Sequence, residues 1–457
     1  MSFNETRARL IKEVHKSLPE HIGRLGWTKE ELRQFQTERL REILRIAKEK
    51  SPYYRSVLKD TDPADFGIGD LNSLPVLKKQ GVMDNWDDIV TVPGINTRLA
   101  ESHLEEIREG RRDNPYYDNK YLFIATGGSS GKRGLFLWDG HFLKETACIC
   151  YRYLADSEQK AGYSGPKKLA VLEAPSFLHG SRHLFTVNHA PDVEVIAMSS
   201  IDSAEKQLST LNEYKPTYLE GFASVIAELA HYQLKGKLDI SPRWVSTNSE
   251  PLDDEMRGVI KEAWSIDTCN SWGCVEIGLV AMETGLQTGM VIGEDGVILE
   301  LVDNELKPIK DKKDTRKVLA TSLINKSFPL IRYAIDDVLD IQDDETEYPS
   351  FRKIKSILGR ADDWFDYDKC RVHPIAFRSV LGQHKEIEEY QIAQTANGAE
   401  IKIVGSDSID LNLISNKIAE NLSREGFKNP EITFEAVSSL PRHPETGKVK
   451  RFIPLRK

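Results

Sequence analysis

Apolar residues fall at helical spacing through LRQFQTERLREILRIAKEK, with charges between them, so residues 1 to 60 read as helices that restart after Ser51 and Pro52. Residues 98 to 118 are highly charged and read as solvated surface. A compact apolar run, Tyr121 to Ala125, then predicts a buried strand, and a second apolar run opens at Leu135. Helical spacing returns over 139–157. From Lys167 the two periods alternate. KKLAVLEAPS, VEVIAMSS, PTYLEGF, PRWVSTNSE and IDTCNSWG read as strands, with SAEKQLSTLNEY, SVIAELAHYQL and DEMRGVIKEAW as helices among them. Such alternation predicts parallel sheets with helices on their faces, a layout in which ligands gather beyond the carboxyl ends of the strands.

From Val291 the runs shorten and are separated by acidic and glycine turns (GVILELVD, KVLATSL, LIRYAI, VLDI), which predicts an antiparallel β region. Residues 345 to 360 read as a charged connection. Beyond it EYQIAQTA, AEIKIVGS and EITFEAVS read as strands and DLNLISNKIAENLSREG as a helix, a compact α+β unit. The expected fold class is therefore α/β: a large N-terminal domain (1–358) of parallel-type sheets with flanking helices plus a β region, and a small mobile α+β C-terminal domain (359–457). No internal repeat interrupts this plan.

Composition narrows the function classes. The chain has 457 residues, 40% hydrophobic and 29% charged, enough for a substantial core in a globular protein. A net charge of −9 argues against a general nucleic-acid binder. No run approaches the length needed to span a bilayer, and MSFNETRARLIKEVHKSL lacks an apolar core for secretion, so a cytoplasmic protein with no membrane partner is expected. Five cysteines without a CxxC pair fit reduced, buried thiols better than disulfides or zinc.

The candidate chemistry begins between the two apolar runs, at TGGSSGKR. Gly127, Gly128 and Gly131 permit positive φ and leave no Cβ in the way. Such a loop can aim its backbone N–H groups at one point and nest an oxyanion. Thr126, Ser129 and Ser130 add hydroxyl donors, and Lys132 and Arg133 add charge; the fitting ligand is a polyphosphate. The alternative is a plain Gly/Ser turn with no ligand. A Walker A loop is excluded, because Gly127 is not followed five residues later by Gly and Lys132 is followed by Arg.

Six further segments stand with this loop: PSFLHG (175–180), STNSEPL (246–252), NSWGCVEIG (270–278), PLIRYAIDDV (329–338), GRADD (359–363) and LPRHPETGKVKRF (440–452). In this order, with ATGGSSGKRG (125–134), they resemble the adenylate-forming acid ligases, the ANL superfamily, and within it the phenylacetate–CoA ligase-like and CapK-like branch. The resemblance covers most of the chain.

The resemblance implies ATP bound through Thr126, Gly127, Gly128, Ser129, Ser130, Gly131 and Lys132. It adds nucleotide contacts from Ser249, Glu250, Pro251, Asn270, Ser271, Trp272 and Gly273. Trp272 stands where an adenine-side aromatic belongs. Asp337 stands where ribose hydroxyls are bound, with Asp336 as the alternative one place away, and Arg360 would contact the ribose or phosphate. Glu276 would hold Mg²⁺, which favours one or two carboxylates plus phosphate oxygens. Lys448 is implied as the catalytic lysine on a lid turn, steadying charge as the carboxylate attacks phosphorus. Asp362 is implied as the hinge. Phe177 and His179 would gate the acid pocket, with Gly221 and Phe222 across it and Thr247 in its lining.

The function implied is activation of a carboxylic acid, aromatic or aryl-type, to acyl-AMP with release of pyrophosphate, then transfer to a thiol, CoA by the branch resemblance. One departure weakens CoA: Lys369 falls where the thioester-forming branch has a glycine at the pantetheine tunnel. A carrier-protein thiol, an amine or a hydroxyl are the alternative acceptors, and a homodimer is compatible. Arg182 and His183 beside the acid pocket point instead to a polar or doubly charged acid. From another class, a catalytically silent nucleotide-binding relative is the rival; intact Lys448, Glu276 and Asp337 count against it.

Overall fold

The computed structural model describes residues 2–126, 134–174, 177, 180–185, 193–284, 289–303, 305–309, 317–342, 348–360, 364–368, 370–372, 375–381, 384, 386–405, 409–442 and 449–455. The chain opens with helices Phe3–Arg24 and Lys29–Lys50. Each starts on a capping box, Ser2 with Glu5 and Thr28 with Glu31, which satisfies first-turn N–H groups. Pro52–Val57 restarts behind the Ser51 cap. The charged segment before the glycine loop is less solvated than its composition predicts. It holds the helix Thr97–Arg108, which buries Ala100, His103 and Leu104.

Strands β1 (Tyr121–Ala125) and β2 (Leu135–Asp139) form an antiparallel hairpin apart from the main sheet. Strands β3 (Lys168–Glu173), β4 (Glu194–Ser199), β5 (Tyr218–Phe222), β6 (Trp244–Asn248) and β7 (Cys269–Cys274) follow as the sequence predicts. All neighbours among these five are parallel. Strands β8 (Gly278–Met282) and β9 (Met290–Ile292) continue the sheet antiparallel, and β10 (Val297–Val302), β11 (Lys317–Ser322) and β12 (Tyr333–Ile335) form a separate antiparallel sheet. Strands β13 (Asp337–Gln342) and β14 (Lys353–Arg360) return to the main sheet, whose nine strands run β13-β14-β9-β8-β7-β6-β5-β3-β4. The expected charged connection over 345–360 is thus corrected: its second half is a strand. Ile354 supplies a fully buried position there, which the surrounding charges mask in the sequence.

Helices Ala204–Tyr214, Ala223–Leu234 and Asp254–Trp264 return between the parallel strands, and an apolar core lies beneath them, with Leu172, Leu219, Ile226 and Ile260. The opposite face meets the helix Gly140–Ala161, with Leu143, Ala147, Leu169 and Val171 in one cluster. That helix is buried without a break from Glu145 to Tyr153, so it needs cover all round, and Phe3–Arg24 packs along it. Its Arg152 is fully buried and bidentate to Asp295, at 2.8 and 3.0 Å, with Arg24 adding a third contact at 3.2 Å.

The last stretch has a core of its own, including Phe365, Phe377, Ile392, Ile401, Ile418 and Phe452. Strands β15 (Phe365–Tyr367) and β16 (Cys370–Val372) form a hairpin. Strands β17 (Ile387–Gln394), β18 (Gly398–Gly405), β19 (Glu431–Ala436) and β20 (Phe452–Ile453) form a sheet in the order β19-β18-β17-β20, with helices Ile375–Leu381 and Leu411–Arg424 completing the α+β unit. All five cysteines are free. No helix among the described residues is long and apolar enough to cross a membrane.

Candidate active site

The glycine loop joins β1 to β2. Thr126 N–H donates to the Gly134 carbonyl at 2.9 Å, and Gly134 N–H donates to Thr126 Oγ1 at 2.8 Å. A Cβ on Gly134 would lie 2.9 Å from that hydroxyl and 2.8 Å from the Phe136 ring, so glycine is required at the loop base. Residues 127–133, including Gly127, Gly128, Ser129, Ser130, Gly131 and Lys132, lie outside the described residues.

A residue the sequence reading passed over stands at this base. Lys79 Nζ donates to Thr126 Oγ1 at 3.4 Å. Its backbone is fixed two residues earlier: Leu77 bridges to Tyr333, with Leu77 N–H on the Arg332 carbonyl at 3.0 Å and Ala334 N–H on the Leu77 carbonyl at 2.9 Å. Tyr333 in turn donates its hydroxyl to Glu276 Oε1 at 3.1 Å. One short crossing of the 77–79 segment therefore links the glycine loop to Glu276. These are the two features that the sequence assigns to phosphate and Mg²⁺. Burial, with Glu276, Cys274 and Asp336 nearby, pushes the Tyr333 phenol well above its usual range, so it stays a donor.

The next part comes from β7. The indole N–H of Trp272, 5% exposed, donates to Asp337 Oδ2 at 3.1 Å. Asp337 is the first residue of β13, and its register partner on β14 is Arg360. Burial raises the Cys274 thiol, and Glu276 and Asp337 add to that rise. A Cβ on Gly273 would meet the Gly278 carbonyl at 2.2 Å, so this β7–β8 turn demands glycine. Asn270 and Ser271 are spent on the sheet: Thr247 Oγ1 donates to Asn270 Oδ1, and Ser271 Oγ donates to the Thr247 carbonyl, both at 3.1 Å.

After β6 the chain turns at Ser249, with φ 64, and Glu250 Oε2 accepts from Ser224 N–H at 3.0 Å. Pro251 follows, exposed. Gly221 sits where a Cβ would press on the Leu172 carbonyl at 2.9 Å, and Phe222 packs into the core under Ala223–Leu234, with Leu172 and Ile226. Near the end of β3, the Arg182 guanidinium lies 4.3 Å from the Phe177 ring centroid and donates to the Ala174 carbonyl at 3.2 Å. The buried His183 ring bonds the Phe177 carbonyl through Nε2 at 2.7 Å. His179, Asp362, Lys369 and Lys448 lie outside the described residues.

The turn that carries Lys448 is nevertheless held at both ends. Arg442 and Val449 bridge to each other. Arg442 donates to Ser224 Oγ, Glu228 and Glu389, each at 3.2 Å, and Arg451 donates to Asp253 Oδ2 at 2.9 Å. Ser224, Glu228 and Asp253 follow the carboxyl ends of β5 and β6, so the C-terminal unit is docked on the edge where the site residues gather. Arg442 and Tyr333 lie within two of the quoted segments, but neither carries an assigned role there: each is one polar residue among many until the fold supplies its partner.

No protein-family profile matches the chain. It is 23% identical to protein CapK of Staphylococcus aureus over 438 residues, covering 92% of this chain and 89% of that protein. It is 24% identical to a phenylacetate–coenzyme A ligase of Thermus thermophilus over 466 residues, covering 94% and 98%. Among solved structures it resembles a 2-hydroxyisobutyryl-CoA ligase in the postadenylation state bound to an acyl-AMP, with a TM-score of 0.73 at 18% identity, over 95% of this chain and 91% of that one.

Proposed function

We propose that this chain, an adenylate-forming ligase of the phenylacetate–coenzyme A ligase-like branch, activates a carboxylic acid with ATP and passes the acyl group to a thiol. The polyphosphate lies on the 126–134 loop with Lys79 at its base. The ribose is held at Asp337, in the position that Trp272 fixes. Glu276, oriented by Tyr333, suits Mg²⁺, which would neutralise phosphate charge there.

A carboxylate oxygen attacks the α-phosphorus in line, the bond to the bridging oxygen of the β-phosphate breaks, and pyrophosphate leaves with that electron pair. Positioning and charge stabilisation supply most of the acceleration. Lys448 steadies the charge that develops on the α-phosphate. The unit 359–457 then turns about Asp362, and a thiolate attacks the acyl carbon and displaces AMP. The acceptor is CoA in the first instance. The acid is aryl-type by likeness to the phenylacetate ligases, an expectation the pocket chemistry below modifies.

The observation that carries this reading is the 77–79 crossing, which ties Thr126 to Glu276 through Lys79 and Tyr333 beside the Trp272–Asp337 pair. A nucleotide site needs these parts together, and a plain Gly/Ser turn has no use for them. Acid-dependent exchange of pyrophosphate into ATP tests it. Exchange that rises on adding an acid supports adenylation, and ATP turnover indifferent to every acid overturns it.

A further inference from the structure

On the sheet face that meets the Gly140–Ala161 helix, the side chains begin apolar and then change. Register places Leu169 beside Tyr218 and Trp244, and the next rung places Val171 beside Glu220 and Ser246. One step further along β3 stands Glu173. Leu169, Val171 and Tyr218 belong to the apolar cluster with that helix, so the alternation of the strands calls for apolar residues at 220 and 246 as well. Instead the face carries two carboxyl groups and a hydroxyl, with Glu173 1%, Ser246 2% and Glu220 7% exposed.

The fold satisfies them only in part. Neither oxygen of Glu173 nor Ser246 Oγ has a hydrogen-bond partner among the described residues. Arg182 Nε lies 3.9 Å from Glu173 Oε1 while another nitrogen of that guanidinium donates to the Ala174 carbonyl, and Arg7 also favours the charged form of Glu173. Burial alone acts on Glu220, with no charge or hydrogen bond offsetting it, and its carboxyl lies close enough to Glu173 to oppose that group's ionisation. An orphaned buried polar group costs about 1–3 kcal/mol, more when charged. Both oxygens of Glu173 and Ser246 Oγ are such atoms, and with the buried Glu220 beside them they call for a ligand group that repays them. A cavity of about 30 Å³, enough for a water-sized group, lies beside Glu220 and Ser246, with Cys150, Tyr218, Trp244 and Glu158 also in its wall and Glu173 outside it.

The rung lies directly below the carboxyl ends of β5 and β6, so the tail of an acid held at those ends points towards it. A purely aryl or alkyl tail would leave these groups unpartnered, whereas an ammonium group draws both glutamates into their charged form and accepts none of their protons. We propose that the acid carries a protonated amine, which Glu220 and Glu173 hold while Ser246 Oγ accepts one of its N–H bonds. This rests on the adenylation reading and narrows its substrate to amino-substituted carboxylic acids.

The test is pyrophosphate exchange by the full chain with acids paired in size, 4-(aminomethyl)phenylacetate against 4-ethylphenylacetate and 6-aminohexanoate against heptanoate. The ammonium-bearing member of a pair should be preferred in kcat/KM by about tenfold or more, as one charge-assisted hydrogen bond allows. Glu220→Gln, and independently Glu173→Gln, should cut that preference by about tenfold. Preference for the neutral member, or a preference unmoved in both variants, overturns the inference and leaves adenylation standing. If no acid supports exchange, the adenylation reading fails. Thermal shift with the same pairs then decides the pocket: stabilisation by the ammonium acids that is lost in Glu220→Gln upholds it, and its absence rejects it.

Discussion

The Trp272 indole N–H and the Asp337 carboxylate meet at 3.1 Å, across 65 positions of chain. The contact explains why a tryptophan serves here: its ring is buried in the core beside the glycine-loop hairpin, while its one polar atom fixes the carboxylate proposed to hold the ribose. Trp272→Phe keeps the ring and loses the donor. A hydrogen bond to a charged group contributes about 1.5–3 kcal/mol, so the KM for ATP should rise by about tenfold or more, with a smaller change in the KM for the acid. Steady-state exchange kinetics on the variant give both values.

Tyr333 aims Glu276, the proposed Mg²⁺ ligand, through its hydroxyl. Losing such a support for a metal ligand weakens metal affinity by about 10–100-fold. Tyr333→Phe should therefore raise the Mg²⁺ concentration for half-maximal exchange by about tenfold, while saturating Mg²⁺ restores most of the rate. A titration of exchange rate against Mg²⁺ checks this, and an unchanged midpoint would remove Glu276 from the metal site.

Much of the fold was readable from local pattern. The alternating runs after Lys167 become parallel strands and covering helices because both periods are strong there. Lys353–Arg360 was missed because its fully buried Ile354 stands between Lys353 and Lys355, an alternation too short to separate from a polar linker. That the two strands around the glycine loop pair only with each other was not legible, since a sequence does not say which strands will pair. In the site, Trp272 and Asp337 stood out by position, but Lys79, Tyr333 and Arg442 did not. Their roles depend on contacts such as the Leu77–Tyr333 bridge, which joins segments about 250 residues apart in a way no local signal encodes. Glu220 was legible only as one polar letter in a strand.

Burial raises the Glu220 carboxyl to about 8, and burial with Glu220 nearby, against Arg182 and Arg7, holds Glu173 at about 8. Both values lie above the unfolded carboxyl, so the two groups favour the folded state fully at acid pH. That contribution falls as pH climbs from about 4.5 through 8. Glu220→Gln removes one of them. Its Tm relative to the wild type should therefore increase from pH 6 to pH 9, and calorimetry across that range reads the difference. A difference constant with pH would mean that Glu220 is charged throughout.

The Arg152–Asp295 pair is buried beneath the Gly140–Ala161 helix, where Asp295 is held down to about 2 against the opposing effect of burial, chiefly by Arg152. Arg152→Met leaves Asp295 with Arg24 and little else. Removing one partner of a buried ion pair costs about 3–5 kcal/mol, visible as an earlier urea transition. Since Asp295 lies below its unfolded value, the wild-type advantage should hold at neutral pH and fade as pH falls from about 4 towards 2.

The central claim is that an acid is joined to AMP, and the most direct measurement is pyrophosphate exchange with and without acid in the wild type and in Lys448→Ala, alongside ATP binding by calorimetry. The account predicts acid-dependent exchange in the wild type, a loss of at least about 100-fold in the variant, and ATP affinity within a few-fold in both. Exchange that survives in Lys448→Ala would contradict the role assigned to the C-terminal turn. ATP binding with no exchange for any acid would contradict adenylation itself.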